Sequence, residues 1–159
     1  MAVDGFALLI KRVEGVWSAE RLDDALLDDL DRCLAALRRH QENPTACVLA
    51  VVDEEFFVAL RPGRSHDARL LLSDLTAAVD YPLARQAVDH LGEEQPDDDE
   101  LDEVWPIGDL AIFEDLGLPE MELRVILDDL DLYADEMIAA IAGRVGFSGA
   151  YARVVDTPR

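Results

Sequence analysis

The apolar positions along this chain fall into two rhythms, one suited to strands and one to helices. Residues 5–13, "GFALLIKRV", are an apolar, partly β-branched run that ends in charge. Glu14-Gly15 then reads as a turn and Val16-Trp17 as a short return strand. Leu22, Leu26, Leu30, Leu34 and Leu37 recur every three or four residues with Asp and Arg between them. That spacing predicts an amphipathic helix of about four turns. Three apolar stretches follow with short polar connections: "ACVLAVV" (46–52), "FFVAL" (56–60) and, beyond Pro62-Gly63, "ARLLL" (68–72). Connections this short favour an antiparallel meander, with the helix covering one face. A further helix is expected over much of 73–91, with Pro82 starting or kinking its second part and Gly92 ending it.

Residues 106–123, "PIGDLAIFEDLGLPEMEL", place apolar residues at helical spacing between two glycines and two prolines. Asp109 suits the N-cap of a short helix over about 110–116, and Gly117 suits the left-handed position that closes it. Pro119 fits the first turn of the next helix, where Glu120 and Glu122 complement the N-terminal dipole. Leu123, Ile126, Leu127 and Leu130 mark that helix; Met137, Ile138 and Ile141 mark another, ending near Gly143. The expectation is a compact helical hairpin with a short lead-in helix. Periodicity leaves open whether this unit docks on the sheet or stands apart.

Charge divides the chain. At 159 residues, half of them apolar, there is material for one ordinary domain or one domain with a small appendage. The formal net charge is −21 and is unevenly spread: residues 1–85 hold ten basic and fifteen acidic residues, residues 86–159 four and twenty. "EEQPDDDELDE" (93–103) carries eight carboxylates in eleven positions. A block of that composition buries too little apolar surface to offset its ordering entropy, so it reads as a solvated linker. The predicted fold class is therefore α+β: an antiparallel sheet with covering helices in 1–92, an acidic linker at 93–104, and a C-terminal helical unit at 105–159.

So acidic a surface repels phosphate backbones, which excludes direct nucleic-acid binding, and it repels anionic lipid equally. There is neither an apolar run of about 18 residues nor a signal-peptide pattern, and a cytoplasmic protein is expected. Cys33 and Cys47 sit among apolar neighbours and read as small buried thiols, while His40, His66 and His90 are scattered, so no zinc spacing can be assembled. Asp24 with Asp28, and Asp131 with Asp135, lie one helical turn apart, but no His joins them and the calcium-loop glycine is absent; a solvated helix face accounts for both. Ser65, His66 and Asp67 are contiguous and cannot form a catalytic triad from consecutive positions. Ser18, Ser65, Ser73 and Ser148 have no Gly-x-Ser-x-Gly setting, and no Gly-rich phosphate loop occurs. No cofactor and no metal are expected.

Across nearly its whole length the chain resembles the tRNA adenosine deaminase-associated proteins of actinobacteria. The resemblance rests on "GFALLIKRVEGVW", "LDDALLDDLDRCLAAL", "VLAVVDEEFFVAL", "LLLSD" before an Ala-rich helix, the acidic insert, and above all the Pro-x-Gly-Asp and Asp-Leu-Gly signatures of "PIGDLAIFEDLGLPEMEL". It implies association with a tRNA adenosine deaminase by gene neighbourhood, and it brings no catalytic or binding residues with it. The chain is not itself the deaminase: that chemistry needs zinc on one His and two Cys in H-x-E and P-C-x-x-C arrangements, and neither is present.

The function expected from these readings is a non-catalytic accessory or adaptor protein that binds a protein partner, the deaminase being the partner the resemblance implies. The expected contact residues are Asp97, Asp98, Asp99 and Glu100 in the acidic run, with Trp105, Pro106, Gly108 and Asp109 beside it. An aromatic flanked by carboxylates is how acidic segments engage partners. Two alternatives are a nucleic-acid mimic occupying a basic RNA-binding cleft and, more weakly, an enzyme using paired carboxylates and a divalent metal.

Overall fold

The computed structural model describes residues 4–63, 67–95 and 105–156. Strands β1 (Gly5–Val13) and β2 (Val16–Leu22) form a hairpin through Glu14-Gly15, whose φ angles of 54° and 79° match the two-residue turn that follows strand twist. The return strand runs to Leu22, so the leucine repeat does not begin a helix there. Asp23 accepts the Ala25 N–H and starts a 3-10 turn over Asp24–Asp28; Asp29 accepts the Arg32 N–H and starts α1 (Leu30–Arg38). Each short acidic side chain offers the backbone a new start, and this divides the expected four-turn helix into strand end, turn and helix.

The chain then returns to the free side of β1. β3 (Cys47–Val52), β4 (Phe56–Pro62) and β5 (Ala68–Leu72) follow as the predicted antiparallel meander. The helical segment beyond them splits into a 3-10 turn (Leu75–Val79) and α2 (Pro82–His90), with Pro82 as its first residue. β6 (Ile107–Gly108) pairs with β5, giving a six-stranded antiparallel sheet in the order β2-β1-β3-β4-β5-β6.

Both faces of this sheet are covered. Ala7, Leu9, Val48, Ala50, Val58 and Leu60 face α1 and α2, whose Leu30, Cys33, Leu37, Leu83 and Val88 complete one core. The intervening residues Leu8, Ile10, Leu49, Val51, Phe57 and Leu71 face the C-terminal helices, whose Leu123, Leu127, Ile138 and Ile141 complete a second. Residues 105–156 therefore dock on the sheet and share its core. Each fully buried leucine in these layers contributes about 1.5–3 kcal/mol relative to exposure.

Three helices make the second layer. α3 spans Glu120–Leu127, with Pro119 at its N-cap and not inside its first turn. Leu130 lies beyond its end and is 80% exposed, because Asp128 closes the helix before the apolar repeat is finished. α4 (Ala134–Val145) passes Gly143 and stops at Gly146, whose φ of 117° is left-handed. α5 (Ser148–Asp156) has no counterpart in the sequence reading. It closes over the β1–β2 hairpin and α4: the ring of Phe147, just before α5, meets Trp17 at 5.6 Å, the Arg21 guanidinium donates to Val154 O at 2.9 Å, and Tyr151 Oη donates to Asp135 O of α4 at 2.9 Å.

Candidate partner-binding site

Asp97, Asp98, Asp99 and Glu100 lie outside the described residues; the described chain resumes at Trp105. Trp105 is fixed through its backbone. Its carbonyl accepts the Leu75 N–H at 2.7 Å and its own N–H donates to Asp74 Oδ1 at 3.4 Å. Asp74 Oδ1 also accepts the Thr76 N–H and hydroxyl, capping the 3-10 turn, so one carboxylate anchors both segments. The residue is nevertheless 57% exposed. Pro106 is half-buried and leads into Ile107, which pairs with Leu72 and packs against the first core.

Gly108 and Asp109 are used by the fold. Gly108 pairs with Leu71 at a φ of 103°, and a Cβ built on it would meet Leu70 O at 2.2 Å. Only glycine allows so close an approach of β6 to β5. The next residue continues the attachment, with the Asp109 N–H donating to Leu70 O at 2.8 Å. Asp109 Oδ1 accepts the Ala111 N–H at 3.0 Å, the capping role its position predicts, although an irregular turn stands where a helix over about 110–116 was expected and only Glu114–Leu116 is helical, as a 3-10 turn. Asp109 Oδ2 accepts from Arg69 Nε at 2.6 Å. Gly117 closes the segment at a φ of 104°.

The sequence reading missed the arginines. Arg61, at the end of β4, is among the largest fully buried side chains, only 1% exposed. It donates to the carbonyls of Pro44 and Ile112 and spans both oxygens of Asp115, with Nη1 to Oδ1 at 2.6 Å and Nη2 to Oδ2 at 3.1 Å. Arg69 adds a bond to Ala111 O at 2.7 Å and approaches Asp115 Oδ1 at 3.7 Å. Hydrogen bonding from Arg61 holds the Asp115 carboxyl below its ordinary 3.8, outweighing partial burial, which acts the other way. Signals for this were present: Arg61 and Arg69 stand symmetrically about the β4–β5 connection and so become cross-strand partners. The two signature carboxylates Asp109 and Asp115 thus fasten the segment to the sheet.

A cleft of about 590 Å3 lies elsewhere, between the start of β1 and the β3–β4 turn, lined by Asp4, Gly5, Phe6, Val51, Asp53, Glu54 and Asp135. Asp53 and Glu54 both have positive φ there, and the turn is tied down by the Asp4 N–H to Asp53 Oδ1 and the Ala134 N–H to Glu54 O. Its lining carries four carboxylates, Asp4, Asp53, Glu54 and Asp135, and no His, Cys, Ser or Lys. Among the described residues no group of three or more His, Cys, Asp or Glu has metal-holding geometry, and no helix is long and apolar enough to cross a membrane.

The chain is 42% identical over 154 residues to Protein Rv3753c of Mycobacterium tuberculosis (strain ATCC 25618 / H37Rv), a match spanning 96% of this chain and 88% of that protein. No solved structure matches. The profile of the family described as "Rv3753c-like tRNA adenosine deaminase-associated protein" matches residues 5–148, which takes in the whole sheet and the Arg-clamped segment. The chain belongs to the Rv3753c-like tRNA adenosine deaminase-associated protein family.

Proposed function

We propose that this protein is a non-catalytic accessory factor that binds a tRNA adenosine deaminase directly, with Trp105 as the anchor and the carboxylates at 97–100 as the charged rim. The observation that carries this reading is the contrast at Trp105: a backbone fixed on Asp74 and Leu75 in a residue left more than half exposed. An exposed aromatic on a backbone fixed before binding leaves less of the chain to order on docking, which favours an interface anchor. The family description supports the choice of partner.

The physical route is electrostatic. An enzyme that binds tRNA must present a basic surface, and a chain of net charge −21 is steered towards it at rates that fall as salt rises. The same surface cannot hold tRNA and this protein together, so the two compete. The test is a titration of the purified deaminase from the same genome, at low and at physiological salt, with and without tRNA. The expected result is a complex that weakens steeply with salt and is displaced by tRNA. Absence of a complex at low salt, or zinc-dependent turnover of a nucleoside by this chain alone, would overturn the reading.

A further inference from the structure

We infer that the outward face of α3 is a second docking surface, which seats in an apolar groove bordered by Lys and Arg on that same deaminase. The inference rests on the partner proposed above and adds a contact to it. α3 buries Leu123 and Leu127 against the sheet. On the opposite side Met121 is 80% and Val125 72% exposed, and residues four apart form one stripe on a helix. Leu130 and Tyr133 follow in the connection to α4, 80% and 62% exposed. Among the described residues the other large apolar side chains open to water are the cross-strand pair Val13 and Val16, Val79 and Trp105, so residues 121–133, with four, concentrate what a solvated surface ordinarily avoids. An ordinary surface helix would carry polar residues at 121 and 125, since neither serves the core.

The face is also preformed. Gly117 and Pro119 fix the entry of α3, Arg124 pairs with Glu120 along it at 3.8 Å, and the Arg144 guanidinium of α4 pairs with Glu122. Docking it therefore requires little ordering of the chain. Its charge selects the occupant. The exposed Asp128, Asp129, Asp131 and Glu136 are interspersed in sequence with the apolar residues, and Arg124, the basic residue within 119–136, is already paired with Glu120. A second copy of this chain would bring like charge against like, and an anionic lipid surface would do the same. What fits is a protein groove with an apolar floor and basic walls, the helix-in-groove mode read by residues four apart. A tRNA-binding enzyme has basic walls of that kind.

The test measures binding of the purified deaminase, at low salt, to the wild-type chain and to Met121→Ser/Val125→Ser, Leu130→Ser and Trp105→Ala. Both α3-face variants should keep wild-type circular dichroism and Tm, because they alter exposed positions. The double variant should raise Kd at least tenfold through faster dissociation, with the salt dependence unchanged, and Leu130→Ser should act in the same direction. If the wild-type chain binds and both α3-face variants bind equally well, the α3 surface is refuted while the deaminase reading stands. If the wild-type chain forms no complex, both fall together. Loss of binding in the α3-face variants alongside unchanged binding of Trp105→Ala would establish α3 and remove Trp105 from the contact.

Discussion

Arg61 on β4 and Arg69 on β5 are direct cross-strand partners, and both turn their guanidinium groups onto one segment, residues 109–115. Arg61 is buried and Arg69 half-exposed, so the pair forms a clamp with a dry end and a wet end. The clamp ties the chain that leaves the edge strand β6 to the middle of the sheet.

Removing the acceptor at the dry end should cost stability. Asp115→Ala leaves the Arg61 guanidinium with only two carbonyl acceptors in a buried setting, a loss of about 1–2 kcal/mol; the half-exposed carboxylate, which water can partly replace, keeps the figure low. Urea unfolding checks this. An unchanged midpoint would show that the clamp carries no net stability.

The same carboxylate sets an acid limit. Because its folded value lies below its ordinary 3.8, the stabilisation from Asp115 is complete above that pH and is lost as pH falls through the folded value. The stability difference between wild type and Asp115→Asn should therefore be constant near neutrality and shrink below about pH 4. A difference that grows on acidification would contradict the assignment.

Gly108→Ala should be more damaging than an exposed glycine substitution. The φ of 103° costs about 1–3 kcal/mol for a residue with a Cβ. The methyl would also lie against backbone that cannot rotate away. The expected outcome is detachment of β6, read as faster exchange of the Asp109 amide, which donates to Leu70 O. Gly92→Ala offers a contrast, since nothing lies within 4 Å of its added Cβ and only the backbone term remains.

Both thiols should resist alkylation in the folded state. Cys33 and Cys47 are free, and burial pushes each from 9.0 up to about 12, so both stay protonated at ordinary pH. The raised values stabilise the fold fully below pH 9, and that contribution is lost as pH rises from 9 towards 12. Iodoacetamide labelling at pH 8, followed by mass, should proceed only at the rate of unfolding. Rapid labelling of either cysteine would contradict its burial.

Trp105→Ala and neutralisation of Asp97, Asp98, Asp99 and Glu100 should separate kinetically. The first should leave stability nearly unchanged and speed dissociation from the deaminase by roughly 30-fold, the size of a hot spot of about 2 kcal/mol. The second, made with Asn and Gln, should slow association at low salt and flatten the salt dependence. Stopped-flow measurements of both rates decide between anchor and rim.

Local patterning determined much of this molecule. The runs at 5–13, 46–52, 56–60 and 68–72 became strands because nothing in them competes with an extended backbone, and the connections among the last three were too short for anything but antiparallel pairing. Pro82 and Gly117 took the positions their restricted or permissive backbones suit. Periodicity failed where another interaction overrode it. Leucine spacing across 22–37 did not reveal that Asp23 and Asp29 would restart the chain, and the apolar repeat to Leu130 did not reveal where α3 stops. The unbroken hydrophobicity of "CVLAVV" carried the information that both sheet faces are covered, yet a single strand cannot name what covers it. That was settled only when Leu123, Leu127, Ile138 and Ile141 met Leu49, Val51 and Phe57 across the second face. The roles of Asp109 and Asp115 were decided in the same way. A carboxylate reads identically in sequence whether it faces water or an arginine, and the arginines that claim these two stand forty residues or more away in the chain, brought there by strand register alone.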